Sequence, residues 1–223
     1  MKHTEYVEQI MLALKEEVSL MREMVIVQLE KAKRAFFDND LELAREIISR
    51  EKRVDILELK IDGDVEEYIA LFAPKAIDLR LVVSLKKINF ALERIGDYTE
   101  GIARYVLDND GEKLSPQQIE ELQLEKMFDT LMTMLTNCFS AIDTLDTGFS
   151  GKLLALDDEV DAIYRSSTVI LTNHLQSNPN LIPNGLKIYL LIYRLECIGD
   201  YCTNIVEDII YYIDAKVLKH AGN

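Results

Sequence analysis

Glycine and proline are scarce in this chain of 223 residues: there are nine Gly and four Pro, and long stretches contain neither. Many short strands joined by tight turns need those residues at every turn, so their scarcity excludes that architecture and favours long helices. Tryptophan is absent, and histidine is limited to His3, His174 and His220. None of the three has a glutamate three residues before it, which removes the Glu-x-x-His signature of di-iron oxidases built in four-helix bundles. Cysteine is limited to Cys138, Cys197 and Cys202, an odd number without zinc-ligand spacing, as fits a reducing cytoplasm. Basic residues are in deficit: 25 Lys and Arg stand against 39 Asp and Glu, giving a formal net charge of -14. So acidic a chain repels phosphate backbones, and nucleic-acid binding is not expected. No uncharged apolar window reaches eighteen residues, so no membrane insertion is expected, and the first residues show no signal-peptide pattern. Neither a Gly-x-Ser-x-Gly elbow nor a P-loop is present, so nucleophilic chemistry finds no support.

What the chain does have is helical periodicity. Val7, Ile10, Met11, Leu14, Val18, Met21, Met24, Val25 and Leu29 recur every three or four positions and form one stripe of a long first helix. Asp40 is a good N-cap for a second helix that runs to the Phe72 region, where Pro74 interrupts it. A third helix spans residues 75–107 and stops near the Asp108–Gly111 turn. The pattern then restarts. Ser115 and Pro116 open a fourth helix read as continuous over 115–145, and a fifth covers 152–175. The Pro/Gly/Asn-rich residues 177–185 read as a loop, and a sixth helix follows over 186–218. The expected fold class is therefore all-α, two tandem three-helix bundles related by internal duplication, with residues 1–110 in the first and 111–223 in the second.

The duplication is visible in one repeated phrase. "LERIGDY" begins at Leu92 and "LECIGDY" at Leu195, six identities in seven. Each carries acids at i and i+4, Glu93/Asp97 and Glu196/Asp200, and each half has a second such pair one helix earlier, Glu51/Asp55 and Asp157/Asp161. In a chain with 39 acids any single pair means little, but a repeated phase does. Like charges one turn apart weaken a helix by roughly 0.2–0.5 kcal/mol. Gly96 and Gly199 add about 1 kcal/mol each relative to alanine. A cation held between the helices offsets both costs, and an all-oxygen donor set suits Fe, Mn, Zn, Mg or Ca. The alternative for the glycines is close helix crossing alone.

These phrases, with "APKAIDLR" at Ala73–Arg80 and "TNIVED" at Thr203–Asp208, resemble the PhoU family over nearly the whole chain, as two copies of its three-helix repeat. The resemblance implies a non-enzymatic cytoplasmic regulator of phosphate uptake and of the phosphate-starvation response. Its implied partners are the phosphate transporter ATPase subunit and a sensor histidine kinase, and it implies a homodimer. It also implies multinuclear iron or zinc on the carboxylate motifs. Carried onto this sequence, the metal residues are Glu51, Asp55, Glu93, Asp97, Asp157, Asp161, Glu196 and Asp200, with Asn204 and Glu207 continuing the second face. The chain departs from the family pattern at Tyr98 and Tyr201, where histidine is usual, and at Cys197, where arginine is. Gly101 and Arg104 replace the expected Asn and Glu, and the cation of Arg104 near the first cluster makes the second half the better expected site. The alternative function is a metal-handling helical protein whose carboxylate cluster is itself the functional centre.

Overall fold

The computed structural model describes residues 2–109, 113–139, 148 and 150–215, with side chains from Tyr6 onward. Among these residues all regular structure is helical. Helix α1 (Lys2–Asp38), α2 (Leu41–Phe72) and α3 (Ile77–Asp108) form the first repeat. Helices α4 (Pro116–Glu121), α5 (Leu124–Asn137), α6 (Ser150–Ser177) and α7 (Ile182–Asp214) form the second, with a single 3-10 turn at Pro179–Leu181.

The first helix buries the stripe that its sequence announces: Leu14, Val18, Met21, Val25 and Leu29 are inside, with Val7, Ile10, Met11 and Met24 packed at the edge. Asp40 accepts a hydrogen bond from the Leu43 amide at 2.9 Å and so starts α2. That helix closes on Ala73 in the left-handed conformation (φ 43°), just before Pro74. Ser115 forms a reciprocal capping box with Gln118, and Pro116 occupies the first turn, where its missing amide costs nothing.

Two readings of the sequence need correction. The fourth helix is not continuous: Gln123 adopts a left-handed conformation (φ 51°) and divides it into α4 and α5. Leu122 and Leu124 are both buried. On a straight helix residues two apart point roughly 200° away from each other, so the break is what lets both side chains enter one core. The remainder of that segment, residues 140–145, lies outside the described residues. The 177–185 stretch is also largely helical, since α7 begins at Ile182 and includes Pro183, Asn184 and Gly185. Pro183 sits in the first turn, and Gly185 serves close packing: a Cβ there would lie 2.6 Å from Leu175 Cδ1.

The two repeats share one hydrophobic core. The signature helices α3 and α7 pack against each other more extensively than any other pair of elements described. At one end Phe36 and Phe37 of α1 meet Phe128 of α5 at centroid separations of 5.6 and 5.5 Å, with Tyr105 of α3 beside them. The carboxylate-bearing faces of α2 and α3, and of α6 and α7, are thereby fixed on one rigid frame.

Candidate metal centre

The repeated glycine has a specific neighbour in each half. A Cβ on Gly96 would lie 2.5 Å from Oε1 of Glu51 on α2. A Cβ on Gly199 would lie 3.1 Å from Oδ1 of Asp157 on α6, with Leu131 and Val160 next nearest. Glu51 and Asp157 are the first acids of the pairs on the preceding helices, so both glycines open the same slot. In that slot the signature helix admits a carboxylate against its own backbone.

In the first half the slot is part of a cluster. Glu51, Asp55 and Asp97 can each place one oxygen so that all three lie within 4.8 Å of one another. Glu51 is only 4% exposed. Its Oε2 accepts a hydrogen bond from the amide of Gln28 on α1, while its buried Oε1 has no hydrogen-bond partner. Burial raises the Glu51 carboxyl to about 8, and the charges of Asp55, Asp97 and Glu100 push it the same way against the Gln28 bond. Burial also raises Glu93 to about 7, aided by Asp97 and partly opposed by Arg94. Asp55 is shifted upward by burial and by Asp97 and Glu100. These acids share one leading cause, burial, to which the like charges of neighbouring carboxylates add.

Two cations stand at the rim. Arg94 Nη1 donates to Asp97 Oδ2 at 3.0 Å, and its guanidinium lies 5.5 Å from the Tyr98 ring centroid. Arg104 points its charge at Glu100, 2.7 Å away, so it trims the cluster's edge and does not enter it. The sequence favours the second half as the metal site, and the side chains converge more closely in the first. Among the described residues, the acids that converge this closely are those of the first half.

In the second half Glu196 is half-buried, and burial raises its carboxyl with help from Asp200 and Asp161, so these three face a common space. Asp161 also accepts from Arg165 at 2.9 Å. Asn204 and Glu207 line a groove against α2 and α3. The positions that depart from the family pattern meet at the seam between repeats. The rings of Tyr98 and Tyr201 lie 6.0 Å apart, Phe90 stands 6.3 Å from Tyr201, and Cys197 is buried beside Tyr98. Gly101 admits the side chain of Arg194 across the same seam, where a Cβ would lie 2.5 Å from Arg194 Nε.

The carboxylate pairs alone do not point to Gln28, Arg94 or Glu100. Gln28 carried a usable signal, being a polar residue one turn from Val25 and Met24 on an otherwise apolar stripe. Three carboxylates, one of them buried and with an oxygen that makes no hydrogen bond, fit a hard or borderline divalent cation.

The PhoU domain family matches residues 18–106 and 124–209, one match for each repeat. The chain belongs to the PhoU family. It is 30% identical over 210 residues to the phosphate-specific transport system accessory protein PhoU of Escherichia coli, spanning 94% of this chain and 86% of that one. It is 30% identical to a PhoU homolog of Aquifex aeolicus, covering 92% of each. The crystal structure of PhoU from Pseudomonas aeruginosa superposes with a TM-score of 0.87 at 26% identity, covering 94% of this chain and 99% of that one. The phosphate transport system regulatory protein PhoU of Streptococcus pneumoniae gives 0.80 at 27% identity, covering 96% and 99%. PhoU-type architecture, two three-helix repeats, is thus the fold of this chain. No helix among the described residues is long and apolar enough to cross a membrane.

Proposed function

We propose that this protein is an accessory regulator of phosphate transport that restrains uptake and the phosphate-starvation response through protein contacts, without catalysis. One observation carries the reading: both repeats match along nearly the whole chain to proteins named as accessory or regulatory components of phosphate transport. The partners are the transporter's ATPase subunit and a membrane sensor histidine kinase, met from the cytoplasmic side by a homodimer. With phosphate plentiful, docking holds both in their repressed states.

The carboxylate faces support this role as cation sites. Glu51, Asp55 and Asp97 would hold a divalent ion such as iron or zinc, with Glu93 and Glu100 adding negative field. Asp157, Asp161, Glu196 and Asp200 would serve the second repeat, with Asn204 and Glu207 farther along α7. When bound, the ion supplies the positive charge that the cluster lacks and cross-links α2 to α3. The chain's own groups do the rest: Gln28 fixes the Glu51 carboxyl, Gly96 leaves room for it, and Arg94 steadies Asp97.

Copurification of the chain with the purified ATPase subunit and with the kinase cytoplasmic domain, with and without added Zn²⁺ or Fe²⁺, tests the proposal. A complex with either supports it, and absence of both under all conditions overturns it. The buried, partnerless Glu51 oxygen favours a second reading, in which bound metal is the functional centre. That reading predicts that Glu51→Gln/Asp97→Ala loses metal and function together while partner binding persists.

A further inference from the structure

A groove opens beside the carboxylate faces, where α2, α3 and α7 meet. It has a volume of about 470 Å³. Its floor is apolar: Val65 and Ile69 of α2, Phe90 and Ala91 of α3, and the Tyr201 ring of α7. Phe90 is 52% exposed and touches Tyr201 edge-on, which is a large apolar area to leave in water on a helix whose other aromatic rings, Tyr98 and Tyr105, are half-buried and buried. The rim is acidic, with Glu58 and Asp62 on one wall and Glu207 and Asp208 on the other. Two lysines lie between them, and both are already engaged. Lys86 bridges Asp62 at 3.2 Å and Glu66 at 2.9 Å. Lys87 bonds Asp208 at 2.7 Å and lies 5.9 Å from the Tyr211 ring centroid. The four rim acids outnumber the two lysines, so the lining as a whole keeps a negative excess.

We propose that this groove docks a basic amphipathic helix of a partner protein, an apolar side chain of that helix seating against Phe90 and Ile69 and its lysines or arginines meeting Glu58 and Glu207. The inference rests on the regulator reading and deepens it by naming a surface and the chemistry it recognises. Charge selects the occupant. An acidic helix or an anionic membrane surface would face the rim's like charges, whereas a basic helix gains from both wall and floor. Length agrees as well. From Glu58 to Ile69 the α2 wall runs eleven residues, about 16 Å, which accommodates about three turns of a docked helix.

A displayed library of helical peptides with randomised surfaces, panned against the full chain and counter-selected on Phe90→Asp, provides the test. Phe90 is exposed and outside the core, so this variant keeps the fold, and its melting curve checks that. The expected result is enrichment of peptides with net positive charge and apolar residues at i, i+3 and i+4. Their affinity should fall at least tenfold for Phe90→Asp and for Glu207→Lys, and weaken as salt is raised. Enrichment of neutral or acidic peptides, equal binding to both variants, or no enrichment would overturn the proposal. So would a Phe90→Asp variant that changes oligomeric state, since the groove would then be an interface between copies of the chain. Peptide binding is read without the transporter or the kinase. A failed groove thus leaves the regulator reading standing, and a regulator reading lost in copurification does not erase a bound peptide.

Discussion

Gly96→Ala is the sharpest perturbation available, because two opposing effects of known size meet at one atom. In an unconstrained helix interior, alanine is better than glycine by roughly 1 kcal/mol. At Gly96 the added methyl would sit 2.5 Å from Glu51 Oε1, about an ångström inside ordinary contact. Glu51 cannot swing aside cheaply, since it is buried and its other oxygen is held by Gln28. Overpacking of this kind costs about 1–3 kcal/mol. Set against the propensity gain, the clash should leave the variant less stable by up to about 2 kcal/mol, a fall in Tm of up to roughly 8 °C for a chain of this length. Gly63 supplies the control: it lies exposed in α2, and a Cβ there meets nothing within 4 Å. Gly63→Ala should gain about 0.5–1 kcal/mol and melt higher. Combining Gly96→Ala with Glu51→Ala removes the clash, so the pair should couple by about 1 kcal/mol or more in a double-mutant cycle. Calorimetry or circular-dichroism melts in chelator read all of these. If Gly96→Ala melts at or above the wild type, or shows no coupling to Glu51, the slot is not what the glycine is for.

Stability should depend on pH through Glu51. Its carboxyl titrates near 8 in the folded protein against 4.5 as the ordinary value, so between these limits the native state holds a proton that the unfolded chain has lost. Metal-free protein should then lose stability as pH rises through that window, by up to a few kcal/mol, and Glu51→Gln should flatten the profile. Denaturant titrations at pH 5.5 and 8.5 measure both. Because a bound cation must displace those protons, Zn²⁺ should raise Tm more at pH 8 than at pH 6 and release protons on binding, and Asp97→Ala should abolish the increment. Calorimetric titration in two buffers of different ionisation enthalpy counts the protons released. Across the seam, Gly101→Ala should destabilise by about 1–2 kcal/mol, with Arg194→Ala in the same chain restoring part of it, again read from melting.

Much of this was legible in the sequence because it depends on period and punctuation. The Val7–Leu29 stripe, the Asp40 and Ser115 caps and the stop before Pro74 are local signals, and the helices follow them. The break at Gln123 left no such mark: a glutamine in a left-handed turn is imposed by the burial of Leu122 and Leu124, a tertiary demand. Pro183 and Gly185 misled in the other direction, since residues that often end helices here begin one and admit Leu175. For the candidate site, the repeated i,i+4 spacing identified the acids, but which of them converge is decided by neighbours the spacing does not reveal. Gln28 reaches in from α1, Arg94 takes one oxygen of Asp97, and Arg104 turns away to Glu100. The Gly101 position is similar, because its meaning lies in Arg194, 93 residues along the chain.

The proposed restraint of phosphate uptake is tested most directly by the rate of radiolabelled phosphate uptake by the host in phosphate-replete medium. Three strains suffice: the gene intact, deleted, and carrying Glu51→Gln/Asp97→Ala. Uptake should be high and unrestrained in the deletion, and the same in the double variant once immunoblotting shows it to be present at normal level. Uptake unchanged by the deletion would contradict the account, whatever metal the protein binds.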